Sequence, residues 1–209
     1  MALVKYNNNS ISAVTSAASV PSGAMTLIKT LTASADATLS FLNGADDVVF
    51  DSTYPIYKFE FINIHPATDG QNFSFQTDTG TNTSYNQTIT STSFTAFHGE
   101  ADGGGTLLYS TGGDKAQATT FQNLNSTSEI GNDNDQSISG ELTIYSPSST
   151  TFVKHFIGKT NWTDLYDYTA NTFTAGYFNT TTALTRVQFK FTSGNIDSGK
   201  IKLYGIKDS

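Results

Sequence analysis

Cysteine is absent from this 209-residue chain. That excludes a disulfide scaffold, a zinc ribbon, an iron–sulfur site and a cysteine nucleophile. Basic residues are scarce: 11 Lys and Arg stand against 18 Asp and Glu, for a formal net charge of −7. So acidic a chain is a poor partner for nucleic acid or anionic lipid, and neither is expected. No apolar run approaches the roughly 20 residues that span a bilayer, so no membrane insertion is expected. The N-terminus runs from Lys5 into Asn7, Asn8 and Asn9, where a secretory signal needs an apolar stretch of about 7–15 residues. Charge is low at 14% and aromatics are frequent at 12%, the reverse of a disordered composition. The length allows one large domain or two small ones.

Catalytic and metal patterns are also missing. His65, His98 and His155 form no HExxH or other spaced ligand pair. GxSxG, Walker and dinucleotide glycine patterns do not occur. Gly103, Gly104 and Gly105 lack a following Lys-Ser/Thr and read as a flexible turn. Residues 133–137 start like a calcium loop but carry Ile138 and Ile144 where that loop needs Gly and Glu. A surface calcium site built from loops stays open as an alternative to an EF-hand. The chain has only four glutamates, and no carboxylate pair declares itself as a glycosidase dyad. We expect no enzyme, no metal and no cofactor.

What is present reads as β throughout. Thr is the commonest residue and Phe and Tyr are plentiful, a composition that suits pleated, half-buried strands. Residues 57–64 give the clearest strand: Tyr57, Phe59 and Phe61 point one way, Lys58 and Glu60 the other. Pro66 to Gly70 then turns the chain, and Phe73 and Phe75 alternate again. Near the C-terminus Val187, Phe189 and Phe191 alternate with polar residues, residues 193–199 turn, and Ile201 and Leu203 alternate in their turn. This predicts a hairpin with one wet face. Arg186, Lys190, Lys200, Lys202 and Lys207 cluster there, either as a solvated outer face or as a contact for an acidic partner. Further strands are expected at 25–32, 38–42, 47–50, 84–90, 93–98, 106–109, 118–124, 137–145, 151–157 and 173–178, with 162–168 as a helical turn or an excursion. No repeat of fixed period appears.

The expected fold is therefore all-β: a single antiparallel β-sandwich, jelly-roll-like, over residues 25–209, with an extended N-terminal arm at 1–24. The arm is mostly Ser, Ala and Val and has too little apolar bulk to order by itself. It is either a frayed tail or a partner-binding strap that uses Leu3, Val4, Tyr6, Ile11, Val14 and Val20. Loop aromatics Trp162, Tyr166, Tyr168 and Tyr177 are candidates for a glycan platform or an interface, or they pack beneath a long loop.

Three stretches carry a family resemblance. Residues 1–12 (MALVKYNNNSIS), 54–67 (YPIYKFEFINIHPA) and 189–206 (FKFTSGNIDSGKIKLYGI) resemble small structural proteins of marine bacteriophages. Residues 70–180 match only in texture. The resemblance implies a virion protein assembled in the bacterial cytoplasm. It implies a homo-oligomer, with a trimer favoured, bound to other virion proteins and to the major capsid protein in particular. Capsid decoration is the leading role. A tail or fibre protein that binds a host-surface glycan is the alternative, and a polysaccharide-degrading sandwich a third. No active-site residue carries over.

Overall fold

The computed structural model describes residues 24–126 and 129–208. The arm residues Leu3, Val4, Tyr6, Ile11, Val14 and Val20 lie outside the described residues. Thirteen strands follow one another: β1 (Met25–Thr32), β2 (Leu39–Leu42), β3 (Ile56–Pro66), β4 (Phe73–Thr79), β5 (Ile89–Gly99), β6 (Thr106–Tyr109), β7 (Lys115–Ala118), β8 (Gln122–Asn123), β9 (Ile138–Tyr145), β10 (Lys154–Thr163), β11 (Tyr168–Phe178), β12 (Leu184–Phe191) and β13 (Ile196–Ile206). No helix is present among the described residues, so none is long and apolar enough to cross a membrane.

Two antiparallel sheets pack into the sandwich that the composition predicts. The larger has nine strands in the order β1-β13-β3-β9-β10-β11-β5-β6, with β7 also on β5; the smaller runs β2-β12-β4-β8. Alternation decides which side chains meet. Tyr57, Phe59 and Phe61 of β3 are buried, as are Phe73 and Phe75 of β4 and Val187, Phe189 and Phe191 of β12. Phe189 is the hub. Its ring centroid lies 5.2 Å from Phe59, 5.3 Å from Phe61, 6.0 Å from Phe73, 6.2 Å from Phe41 and 6.3 Å from Phe75. Edge-on contacts dominate, the arrangement that ring quadrupoles favour.

Several sequence expectations are corrected. The predicted C-terminal hairpin does not form: β12 pairs with β2 and β4 in the small sheet, while β13 pairs with β1 and β3 in the large one. Both strands bury one apolar face, and a sandwich satisfies that from opposite sides as well as a hairpin does. The basic cluster is consequently split between the two sheets. Lys190 sits over the Phe121 ring at 4.4 Å, while Lys200 and Lys202 project from β13. Residues 47–50 form no strand, because Asp46 and Asp47 take φ of 51° and 67° in a turn. Residues 84–88 are likewise a loop, gathered around buried Asp78. That carboxylate accepts bonds from the Tyr85 N–H at 2.7 Å, Asn82 Nδ2 at 2.8 Å and Gln87 Nε2 at 3.0 Å. The 118–124 strand divides into β7 and β8.

Part of the interior is polar. Beneath β5, β10 and β11 several inward residues are hydroxyls, set among apolar side chains such as Phe156 and Trp162: Thr95 meets Thr172 at 3.0 Å, Ser93 meets Thr174 at 3.3 Å, and Thr160 donates to the Leu124 carbonyl at 2.6 Å. Buried hydroxyls are tolerated because they are paired.

The large sheet also carries a line of irregularities. The β3–β9 register shifts between Phe61 and Ile64, and the β3–β13 register shifts around Ser198. Asn63 bulges at φ 49°, held by its N–H donating to Ser139 Oγ at 2.9 Å. Gly140 on β9, beside this bulge, takes φ 152°. Bulges of this kind increase the local twist of a sheet.

Tyr57 gives a pH handle on the fold. Its hydroxyl accepts from the Asp51 N–H at 3.1 Å and donates to the Asp51 carbonyl at 3.3 Å. Burial pushes its pKa up from 10.0 to about 12. The fold thus favours the neutral phenol. The stability this contributes is full below pH 10 and is lost as pH rises through 12, about 3 kcal/mol in all at 1.36 kcal/mol per unit. Urea midpoints measured from pH 8 to 12 should therefore fall more steeply for the native chain than for Tyr57→Phe. Parallel curves would show that this phenol ionises freely in the folded state.

Candidate functional site

The β10–β11 hairpin is paired from Lys154↔Phe178 to Thr163↔Thr169, and its turn, residues 164–168, is braced on several sides. The Asp164 N–H donates to the Tyr168 carbonyl at 3.0 Å. The Asp164 side chain is almost wholly buried, and its Oδ1 accepts the N–H groups of Tyr166 at 2.8 Å and Tyr168 at 2.9 Å. From outside the hairpin, Gln136 Nε2 donates to the Asp164 carbonyl at 3.1 Å and to Asp167 Oδ1 at 3.3 Å. The Glu100 N–H donates to the Asp167 carbonyl at 3.1 Å and ties the 99–105 loop to the same turn. Tyr168 lies against this loop so closely that a Cβ on Gly99 would stand 3.1 Å from its ring.

Tyr166, by contrast, projects from the turn with 72% of its surface exposed. Two open hollows are lined in part by both tyrosines. One, of about 480 Å³, is lined by Phe97, Asp164, Tyr166 and Tyr168. The other, of about 410 Å³, adds Gly99, Glu100 and Asp167 to the same pair of tyrosines.

The four predicted loop aromatics therefore separate. Tyr166 and Tyr168 come together at the turn. Tyr177 lies within β11 on the outer face of the large sheet, its ring 6.0 Å from His155 on β10. Trp162 is corrected from loop to core. It falls on the inward phase of β10 with Phe156 and Thr160, is 1% exposed, donates Nε1–H to Thr172 Oγ1 at 3.1 Å and meets Phe97 edge-on at 5.9 Å.

A second surface was not singled out by the sequence. Tyr109 pairs with Phe94, Phe94 with Phe173, and Phe173 with Lys159, so this row shares the outer face of β6, β5, β11 and β10. Phe94 and Phe173 stack at 5.1 Å with 11° between their planes, and Lys159 Nζ stands 5.4 Å from the Phe173 centroid. Leu107 and Ile157 extend the row on the same face, 72% and 49% exposed. The same face changes character toward β9, β3 and β13. There Lys58 pairs with Glu141 at 2.7 Å and Glu60 at 3.6 Å, and the two carboxylates hold its pKa above the usual lysine value. One signal for the apolar sector was available: the neighbouring Leu107, Leu108 and Tyr109 in a four-residue strand cannot all point inward.

Among the described residues, no three His, Cys, Asp or Glu side chains converge as a metal site requires. Comparisons of the chain with family models, with curated proteins and with solved structures return no match.

Proposed function

We propose that this chain is a non-catalytic bacteriophage virion structural protein, a capsid decoration (cement) protein, that packs against its neighbours through the aromatic sector of its outer face. The observation that carries the reading is the contiguous row of Tyr109, Phe94 and Phe173 with Leu107 and Ile157 at its margins. Exposed apolar patches on a soluble domain mark contact surfaces. Lys159 over Phe173 and Asp114, whose carboxylate accepts the Tyr109 hydroxyl at 2.7 Å, bring one charge of each sign to this row, so acidic copies can approach here without a net negative charge between them. Burial of one such side chain contributes about 1.5–3 kcal/mol, and repetition over a symmetric lattice turns weak contacts into firm ones. The strand-only fold suits a rigid plate of this kind. The N-terminal arm would supply a second contact to the major capsid protein.

Co-sedimentation with particles lacking the protein tests this reading. The full chain should bind. Leu107→Lys combined with Phe94→Lys should lower binding at least tenfold, because it places two charges in the interface. Both side chains are exposed, so the variant should keep the native circular dichroism spectrum. Undiminished binding by the folded variant, or density confined to the tail in cryo-EM of intact particles, would overturn the reading.

A further inference from the structure

The turn at Tyr166 has properties that the packing surface does not explain. It lies at one end of the sandwich. Phe97, which floors its first hollow, meets the buried Trp162 and so belongs to the opposite face of β5 from Phe94. Both surfaces can therefore be occupied at once.

We propose that the β10–β11 turn is a binding site for an uncharged oligosaccharide of hexose or N-acetylhexosamine units. A pyranose offers an apolar C–H face and a rim of hydroxyls, and a protein site must supply a flat apolar ring and acceptors beside it. Tyr166 supplies the ring, exposed over 72% of its surface. Its backbone is fixed before any ligand arrives, by the two bonds to Asp164 Oδ1 and by Gln136 behind them. Less conformational freedom is then lost on binding, which raises affinity for a given contact area. The acceptors are the exposed carboxylates of Glu100 and Asp167, which line one hollow. Phe97 and Tyr168 supply apolar surface to the other hollow.

Charge selects within the class. Neither hollow is lined by Lys or Arg, and Asp164, Asp167 and Glu100 all stand on them. Phosphorylated, sulfated and uronic-acid sugars would meet carboxylates with no cation to offset the repulsion. Neutral sugars would find hydrogen-bond acceptors. Two hollows that share Tyr166 and Tyr168 in their linings suit consecutive units of a chain.

The test is an array of neutral hexose and N-acetylhexosamine oligosaccharides, with sialylated, sulfated and uronic-acid glycans alongside, probed with the full chain. Titration calorimetry on the strongest neutral glycan follows. We expect binding confined to neutral glycans, weakened at least tenfold by Tyr166→Ala and largely kept by Tyr166→Phe. Lys200→Ala, on the distant β13, should bind as the native chain does. Since Tyr166 is exposed, the alanine variant should unfold at the native temperature, which separates lost binding from lost fold. The proposal is overturned if no neutral glycan binds at millimolar concentration, if anionic glycans bind better, or if Tyr166→Ala binds undiminished. Particle co-sedimentation by the same variant should be normal, so failure here and failure of the packing reading are distinguishable.

Discussion

Phe189→Ala should destabilise the domain by about 3–5 kcal/mol, the range for removing a buried phenylalanine. That is a large share of the roughly 5–15 kcal/mol that holds a domain folded. Phe189 is wholly buried, and five other phenylalanine rings lie within 6.3 Å of its centroid. Those rings belong to β2, β3 and β4, so both sheets converge on this one side chain. Removing it leaves a void that rigid rings cannot collapse to fill, which places the cost toward the top of the range. Melting should fall by about 6–20 °C at 2–4 °C per kcal/mol for a domain of this size. Phe189→Leu keeps most of the volume and should cost about half as much or less. Equilibrium urea unfolding of the three chains decides it. A loss under 1 kcal/mol for the alanine variant would mean that the sheets can close over the gap.

Gly140→Ala should cost about 2–6 kcal/mol for two separate reasons. The backbone at φ 152° is one that side chains with a Cβ avoid, worth roughly 1–3 kcal/mol. A Cβ there would also run into the Lys159 carbonyl oxygen and stand 2.7 Å from the Thr160 Cα. Both atoms are backbone in the paired strand β10, so neither can rotate away, and overpacking adds another 1–3 kcal/mol. Urea unfolding would again measure it. If the alanine variant is as stable as the native chain, β9 must be able to slide along β10, and the bulge at Asn63 would not be a fixed feature.

How far the sequence was legible depends on how regular each strand is. β3 was readable because Tyr57, Phe59 and Phe61 keep strict alternation and all three are buried. The two-sheet architecture followed from many such strands. The joining of β12 and β13 to different sheets was not readable, since alternation fixes which face is apolar and says nothing of what covers it. The start of β10 inverts the simple rule: Phe152 is 71% exposed, whereas Lys154 is wholly buried and donates to the carbonyls of Phe152 and Thr180. Phe156 sets the inward phase of β10, and Lys154 shares it by parity; burial lowers its pKa accordingly. At the candidate sites the end of the strand separates Trp162 from Tyr166, which parity alone would place together. Trp162 is the inward residue at the last turn of the pleat, and Tyr166 lies beyond it where the strand has ended. The outer sector around Phe94 was hidden because β5 turns its hydroxyls inward. Their partners, Thr172 and Thr174, lie more than 70 positions away in the chain.

The pairing of β1 with β13, from Met25↔Ile206 to Thr32↔Lys200, bears on how the protein comes to be made. β13 lies between β1 and β3, so the large sheet has a gap until residues 196–206 have left the ribosome. At about 5–20 residues per second, β1 waits on the order of ten seconds or more for its partner. Contacts between such distant segments place folding in the slow, millisecond-to-second class once synthesis is complete. A nascent or truncated chain would present β1 without its partner and β3 with an open edge, the surfaces that chaperones and proteases recognise. Synthesis of residues 196–206 thus serves as a checkpoint: until β13 fills the place between β1 and β3, the large sheet stays in two parts.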